Sequence, residues 1–280
     1  MGLIDSILNF AALLLWLGWR SARVDPIAGA TAATLAGTLR RVDKPRLRGW
    51  QTPAVLAGLI LLRSFFYWQI GSAVNWTGNL DLLVISIPFR MDRFSLALLF
   101  SVSSFLLTLV VFWLCALFVS IVSGREAGFD GVRRFTRLHL GFVEGWPAWL
   151  KLLLPLLAVV PGWWLMNWLL AYQGLLPQPV SPMHRVEQSV VIGIGSYLAW
   201  KYVIVGTLVL HLVASYVYLG NHPFWGQVNA LARRLLKPLS PVPLSVGRVD
   251  FAPAIGILIV FAAARLVGDW LTRLYMQLPL

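Results

Sequence analysis

The chain of 280 residues is short of charge, of acid and of thiols. Charged residues make up 12% of it, against roughly 25% in an ordinary soluble domain. That is too little charge to clothe a water-facing surface. Its one cysteine, Cys115, stands inside an apolar run. A single thiol excludes an intrachain disulfide and a CxxC metal pair, and reads as a small buried hydrophobe. There is no HExxH, no GxSxG, no Walker loop and no cluster of Asp and Glu. The four histidines, His139, His184, His211 and His222, are scattered, so haem ligation has no visible basis. These absences predict a non-enzymatic protein without cofactor or metal. Residues 1–19 also lack Lys and Arg, and the first cation, Arg20, follows the apolar run. A secretory signal carries its positive charge first, so this order predicts an uncleaved anchor with its charged end in the cytoplasm.

What is abundant is apolar: 59% of residues are hydrophobic, including 14 Trp and 15 Phe. Such a surface aggregates in water, and lipid is the simpler solvent. About 20 apolar residues cross a bilayer. Six segments qualify: 4–19, 53–74, 94–122, 147–170, 190–219 and 252–271. The first is slightly short, with Asp5 and Asn9 weakening its outer end. The fifth, about 45 Å long as a helix, is expected to tilt or project into the headgroups. The runs are continuous rather than alternating, which favours helices over barrel strands. The predicted fold is therefore all-α: a polytopic transmembrane bundle of six spans in three helical hairpins, bounded at 1–93, 94–172 and 173–280.

Loop charge predicts orientation. Arg20, Arg23, Arg40, Arg41, Lys44, Arg46 and Arg48 lie between spans one and two. Arg125, Arg133, Arg134 and Arg137 lie between three and four, and Arg233, Arg234, Lys237 and Arg248 between five and six. The opposite side holds Arg90, Arg93, Arg185 and Arg273. The positive-inside rule puts the richer loops in the cytoplasm and both termini outside. The same placement argues that the net charge of +12 serves a membrane and not nucleic acid.

The hairpins look like copies of one unit. Arg41, Gly49 and Trp50 align with Arg137, Gly145 and Trp146 without a gap, and the third copy runs from Arg233-Arg234 to Asp250-Phe251-Ala252-Pro253. Arg63 precedes Trp68 by the five positions that separate Arg265 from Trp270. Such self-similarity points to duplicated units. Between spans five and six, Val228, Leu231, Leu235 and Leu239 form an apolar stripe flanked by Arg233 and Lys237. Phe129, Val132, Phe135 and Phe142 do the same beside Arg133, Arg134 and Arg137. These stretches read as helices in the headgroup plane. They either seal the bundle or recognise acidic headgroups through Arg133, Arg134, Arg137, Arg233, Arg234 and Lys237. Residues 79–93 are too short to span. Val84, Ile85 and Ile87 favour extended chain and Pro88 halts a helix, which predicts an outer re-entrant or interfacial loop.

The last hairpin, over about residues 205–272, resembles the YggT family of small bacterial and plastid membrane proteins. Pro223, Pro238, Gly247, Asp250 and Pro253 fall on its pattern of Pro entry, amphipathic helix, basic Pro-rich turn, Gly, and Asp-x-x-Pro opening a membrane helix. Residues 100–172 form a weaker second copy. The resemblance implies a plasma or thylakoid membrane, and here a bacterial plasma membrane is expected. It also implies roles in division or nucleoid organisation, in ion tolerance or in cytochrome assembly, and supplies no catalytic residues. Independently of the family, Asp250 suits a helix start and Pro253 its first turn.

Ionisable groups inside spans are functional candidates: Arg63, Lys201, His211, Arg265 and Asp269. Arg265 and Asp269, four apart, are placed to pair. Lys151, near a span end, is expected to snorkel to the interface. The leading expectation is an assembly or organising factor working through lipid and protein contacts. Its expected partners are acidic headgroups and a membrane protein or second copy. The alternative is an ion or small-solute conduit lined by the five intramembrane groups.

Overall fold

The computed structural model describes residues 2–24, 50–124, 129–176, 181–217, 223–242, 244–246 and 249–278. Arg40, Arg41, Lys44, Arg46, Arg48, Arg125, His222, Gly247 and Arg248 lie outside the described residues. In chain order the helices are α1 (Gly2–Val24), α2 (Gln51–Val74), α3 (Phe94–Ser123), α4 (Asp130–Leu140), α5 (Ala148–Tyr172), α6 (Pro182–Gly195), α7 (Trp200–Tyr216), α8 (Pro223–Leu236) and α9 (Ala252–Gln277). Two short strands, β1 (Thr77–Asp81) and β2 (Ser86–Arg90), separate α2 from α3. Strands β3 (Ser245–Val246) and β4 (Val249–Asp250) precede α9. Six helical segments are long and apolar enough to cross a membrane: Gly2–Arg20, α2, α3, α5, the run Pro182–Tyr216 and α9. The protein is a multi-pass, all-α membrane protein.

The fifth span starts at Pro182, earlier than the hydropathy boundary at 190. Ser181 caps it by accepting the His184 backbone N–H, and Pro182 fills the first turn. The polar residues that ended the apolar count are inside the protein: Gln188 and Ser189 are buried, and Asn167 Nδ2 donates to Gln188 Oε1 at 3.4 Å. A tight turn of helix, Ser196–Ala199, joins α6 to α7.

The chain packs as two compact units. One comprises residues 1–80 and 87–110, the other 81–86 and 111–280. In the first unit α1 packs along α2, and Phe89, Phe100, Ile87 and Met91 are fully buried. Met91 lies so close over Gly71 that a Cβ there would overlap it. In the second unit α5 packs on α6, and α7 packs on both α8 and α9. Leu170, Leu208 and Leu271 are fully buried there.

Residues 77–81 and 86–90 are extended and pair as a two-stranded sheet, with Ile87 in a strand but Val84 and Ile85 in the turn between them. Alternation buries Leu80, Ile87 and Phe89 and leaves Pro88 exposed. At the turn, Leu82 N–H donates to Ile85 O at 2.8 Å, and Leu83 takes φ +66°. In the second unit Thr272 Oγ1 donates to Val84 O at 2.7 Å. Val84 also sits against Gly195, where no Cβ would fit.

The start of α9 behaves as its sequence suggests. Asp250 Oδ1 accepts the Ala252 N–H at 2.9 Å, and Pro253 is buried in the first turn. Pro223 opens α8, and Pro238 lies in the short helical turn Lys237–Leu239. Strands β3 and β4 are antiparallel, with Val246 opposite Val249.

Candidate functional site

The intramembrane ionisable residues separate into three environments. Arg63, on α2 in the first unit, is only 4% exposed. Its Nη2 donates to Asp5 Oδ1 at 2.7 Å and its Nη1 to Asn9 Oδ1 at 2.8 Å. Tyr67 OH also donates to Asp5 Oδ1, and Asn9 Nδ2 donates to Ser104 Oγ at 2.8 Å. The rings of Tyr67 and Phe100 flank the guanidinium at 5.2 and 5.3 Å. Asp5 and Asn9, which weaken the first span when read by hydropathy, are the partners that a buried cation needs. Their i, i+4 spacing on one helix face was the available signal. The network ties α1, α2 and α3 together. His211 is held in the second unit, with Nδ1 2.8 Å from Asn229 Oδ1 of α8.

A polar recess is built on α4, the turn Gly141–Gly145 and the start of α5. Helix α4 is amphipathic: Thr136, His139 and Leu140 are buried with the preceding Phe129. Gly141, at φ +60°, ends the helix in a conformation that favours glycine. Leu140 and Val143 pack with Ala116 and Leu117 of α3 and against Trp146. That anchoring leaves Arg133 and Arg137, one turn apart, beside a cavity of about 760 Å³. Glu144, Ser120, Trp146 and Lys151 are also among the residues that line it.

Lys151 does not snorkel; its expected route to the interface is corrected by a polar cage. It is only 6% exposed, and its Nζ donates to Ser120 Oγ and to Glu144 O, each at 2.7 Å. The Glu144 carboxylate lies 3.7 Å from Nζ and accepts the Ser120 hydroxyl. Each internal partner satisfies an ammonium donor that a snorkelling side chain carries to water instead. Glu144 is thus engaged by Lys151 and Ser120. Among the described residues, neither Arg133 nor Arg137 has an ion-pair partner. Guanidiniums at i, i+4 beside an ammonium are the donor type with which phosphates and carboxylates pair.

The other headgroup candidates divide. Arg134, Arg233 and Lys237 are exposed. Arg234 instead turns inward: its Nη1 donates to Val122 O at 2.6 Å and Ser123 O at 2.9 Å, and its guanidinium lies 4.7 Å from the Phe129 ring centre. It caps the C-terminal carbonyls of α3, where a cation meets the negative helix end.

The third environment is a cleft of about 290 Å³ in the second unit. Lys201, Arg265, Asp269 and Thr272 line it with Leu83, Leu198, Phe261 and Gly268. Lys201 Nζ lies 5.2 Å from the Tyr202 ring centre. Arg265 and Asp269 do not form the expected i, i+4 ion pair among the described residues. The five groups proposed from sequence as one polar path are therefore three associated residues, plus Arg63 and His211 with partners of their own. Among the described residues no three His, Cys, Asp or Glu side chains gather as a metal site. Comparison with protein-family models, with curated proteins and with solved structures returns no match.

Proposed function

We propose that this multi-pass protein is a non-enzymatic organising factor of a bacterial plasma membrane, similar in kind to the YggT family. It docks acidic lipid headgroups in the recess of Arg133, Arg137 and Lys151. The observation that carries this reading is the charge balance there: three cations surround one carboxylate, and that carboxylate is already engaged. A phosphodiester placed between Arg133 and Arg137 gains two charge-assisted contacts. Phe142, 79% exposed, and Trp149 stand nearby in sequence as interfacial anchors. Loop charge supports a cytoplasmic position for the recess, where acidic lipids concentrate.

The test is lipid retention. The full chain is extracted in mild detergent from membranes of mixed phosphatidylglycerol and phosphatidylethanolamine, and its bound lipid is measured by native mass spectrometry. The wild type is expected to retain phosphatidylglycerol selectively and R133Q/R137Q to lose that selectivity. Equal retention of both lipids by the wild type, or unchanged selectivity in the variant, overturns the reading. A conduit reading gains nothing comparable, because Arg63 and His211 are committed to internal partners.

A further inference from the structure

We propose that the cleft between α7 and α9 receives a carboxylate side chain carried by a transmembrane helix of another protein. The cleft and the basic recess share no residues, so this inference stands apart from headgroup binding.

Depth is the first argument. Arg265 lies 13 residues after Ala252 and 12 before Gln277, midway along a helix of about 39 Å. Lys201 lies well inside the run Pro182–Tyr216. Charges at such depth require partners or water. Yet Arg265 and Asp269 are exposed on α9 and unpaired among the described residues. The neighbouring Asp81 is exposed and not part of the lining. Within the lining, two cations face one carboxylate, and one further negative group balances them.

The source of that group follows from position. Lipid phosphates sit at headgroup depth, not halfway along a span. A second copy brings its own two cations with Asp269. The other carboxylates that pair among the spans are engaged: Asp5 with Arg63, Glu144 with Lys151 and Glu187 with His184. A foreign helix bearing one mid-membrane Asp or Glu meets both demands.

The walls suit such a knob. Ala264 and Gly268, one turn apart, form a low floor that admits close helix approach. Leu198 and Phe261 give apolar sides. Leu83 closes one edge and is held at φ +66°, a region that leucine rarely adopts. The Leu82–Ile85 and Thr272–Val84 bonds fix that turn.

The experiment places the full-length chain in phosphatidylcholine vesicles with a labelled Leu/Ala transmembrane peptide carrying one central Glu. A peptide with Gln in its place is the control, and association is read by energy transfer. The Glu peptide is expected to bind roughly tenfold better than the Gln peptide. K201L/R265L should abolish the difference, and R133Q/R137Q should retain it. G268L, which fills the floor but keeps both cations, should also lose binding; it serves if the double variant fails to fold. Equal binding of the two peptides, or Glu-peptide binding that survives G268L, overturns the proposal. So does peptide-free self-association that disappears in K201L/R265L, which would assign the cleft to a second copy.

Discussion

Arg63 and Asp5 stand 58 positions apart and meet at 2.7 Å in the first unit, with the Arg63 side chain 3% exposed. The pair explains two features together. A cation is tolerated inside the second span because the first span supplies a carboxylate, and the polar residues of the first span are tolerated because they meet that cation. Removing Asp5 leaves the buried Arg63 charge with neutral partners alone, whereas removing both charges leaves Tyr67 and Asn9 each short of one partner but no buried charge. Asp5→Ala is expected to destabilise the protein by about 3–5 kcal/mol. The Asp5→Leu/Arg63→Leu double variant should recover most of that loss. Unfolding titrations in mixed micelles measure both, and strictly additive losses would show that the pair does not act as a unit.

Lys151 separates structure from binding in the basic recess. Lys151→Met leaves Glu144 with only the Ser120 hydroxyl from its present set. It should cost about 3 kcal/mol, the low end for breaking a buried pair. R133Q/R137Q should leave the unfolding midpoint nearly unchanged, because surface charges away from ion pairs contribute little. Thermal unfolding of the two variants side by side checks the contrast.

Arg234 closes the end of α3 from another helix. Arg234→Gln is expected to lose about 1–2 kcal/mol, the range for a partly buried cation at a helix C-terminus. Hydrogen exchange at the last turn of α3, near Val122 and Ser123, should rise in the variant. Unchanged protection there would show that the cap is not stabilising.

Gly195 and Gly71 are positions where a methyl group has nowhere to go: Val84 fills the first and Met91 the second. Gly195→Ala and Gly71→Ala should each destabilise by roughly 1–3 kcal/mol through overpacking. Gly162 is the control, because a methyl group added there meets nothing within 4 Å. Gly162→Ala should leave stability unchanged or slightly raise it, since alanine is the better helix former. Melting temperatures of the three variants decide.

The start of α9 offers a milder test. Asp250→Ala removes the acceptor for the Ala252 N–H and should cost about 1 kcal/mol. Asp250→Asn keeps an acceptor oxygen and should recover most of it. Chemical unfolding of the two variants in the same micelles ranks them.

Much of this was legible in order along the chain. Six spans, their approximate ends, the amphipathic stretches before the fourth and sixth spans, and the helix start at Asp250 follow from hydropathy, period and local chemistry. The early start of the fifth span was not, because Gln188 and Ser189 look solvent-facing until α5 covers them. Of the headgroup candidates, Arg133 and Arg137 stay beside the recess, but nothing local to Arg234 shows that it reaches Val122 and Ser123, more than a hundred positions earlier.

The length and continuity of the apolar runs determined that the protein is a set of membrane-length helices, because in lipid a helix satisfies every backbone polar group within its own segment. Only the tertiary structure decided which charges are satisfied. Arg63 and Arg265 share the same spacing to a tryptophan, yet one is enclosed by Asp5 and Asn9 while the other borders an open cleft. A charge's energy inside a membrane depends on what lies within a few ångströms of it, and that neighbourhood comes from packing, not from sequence spacing.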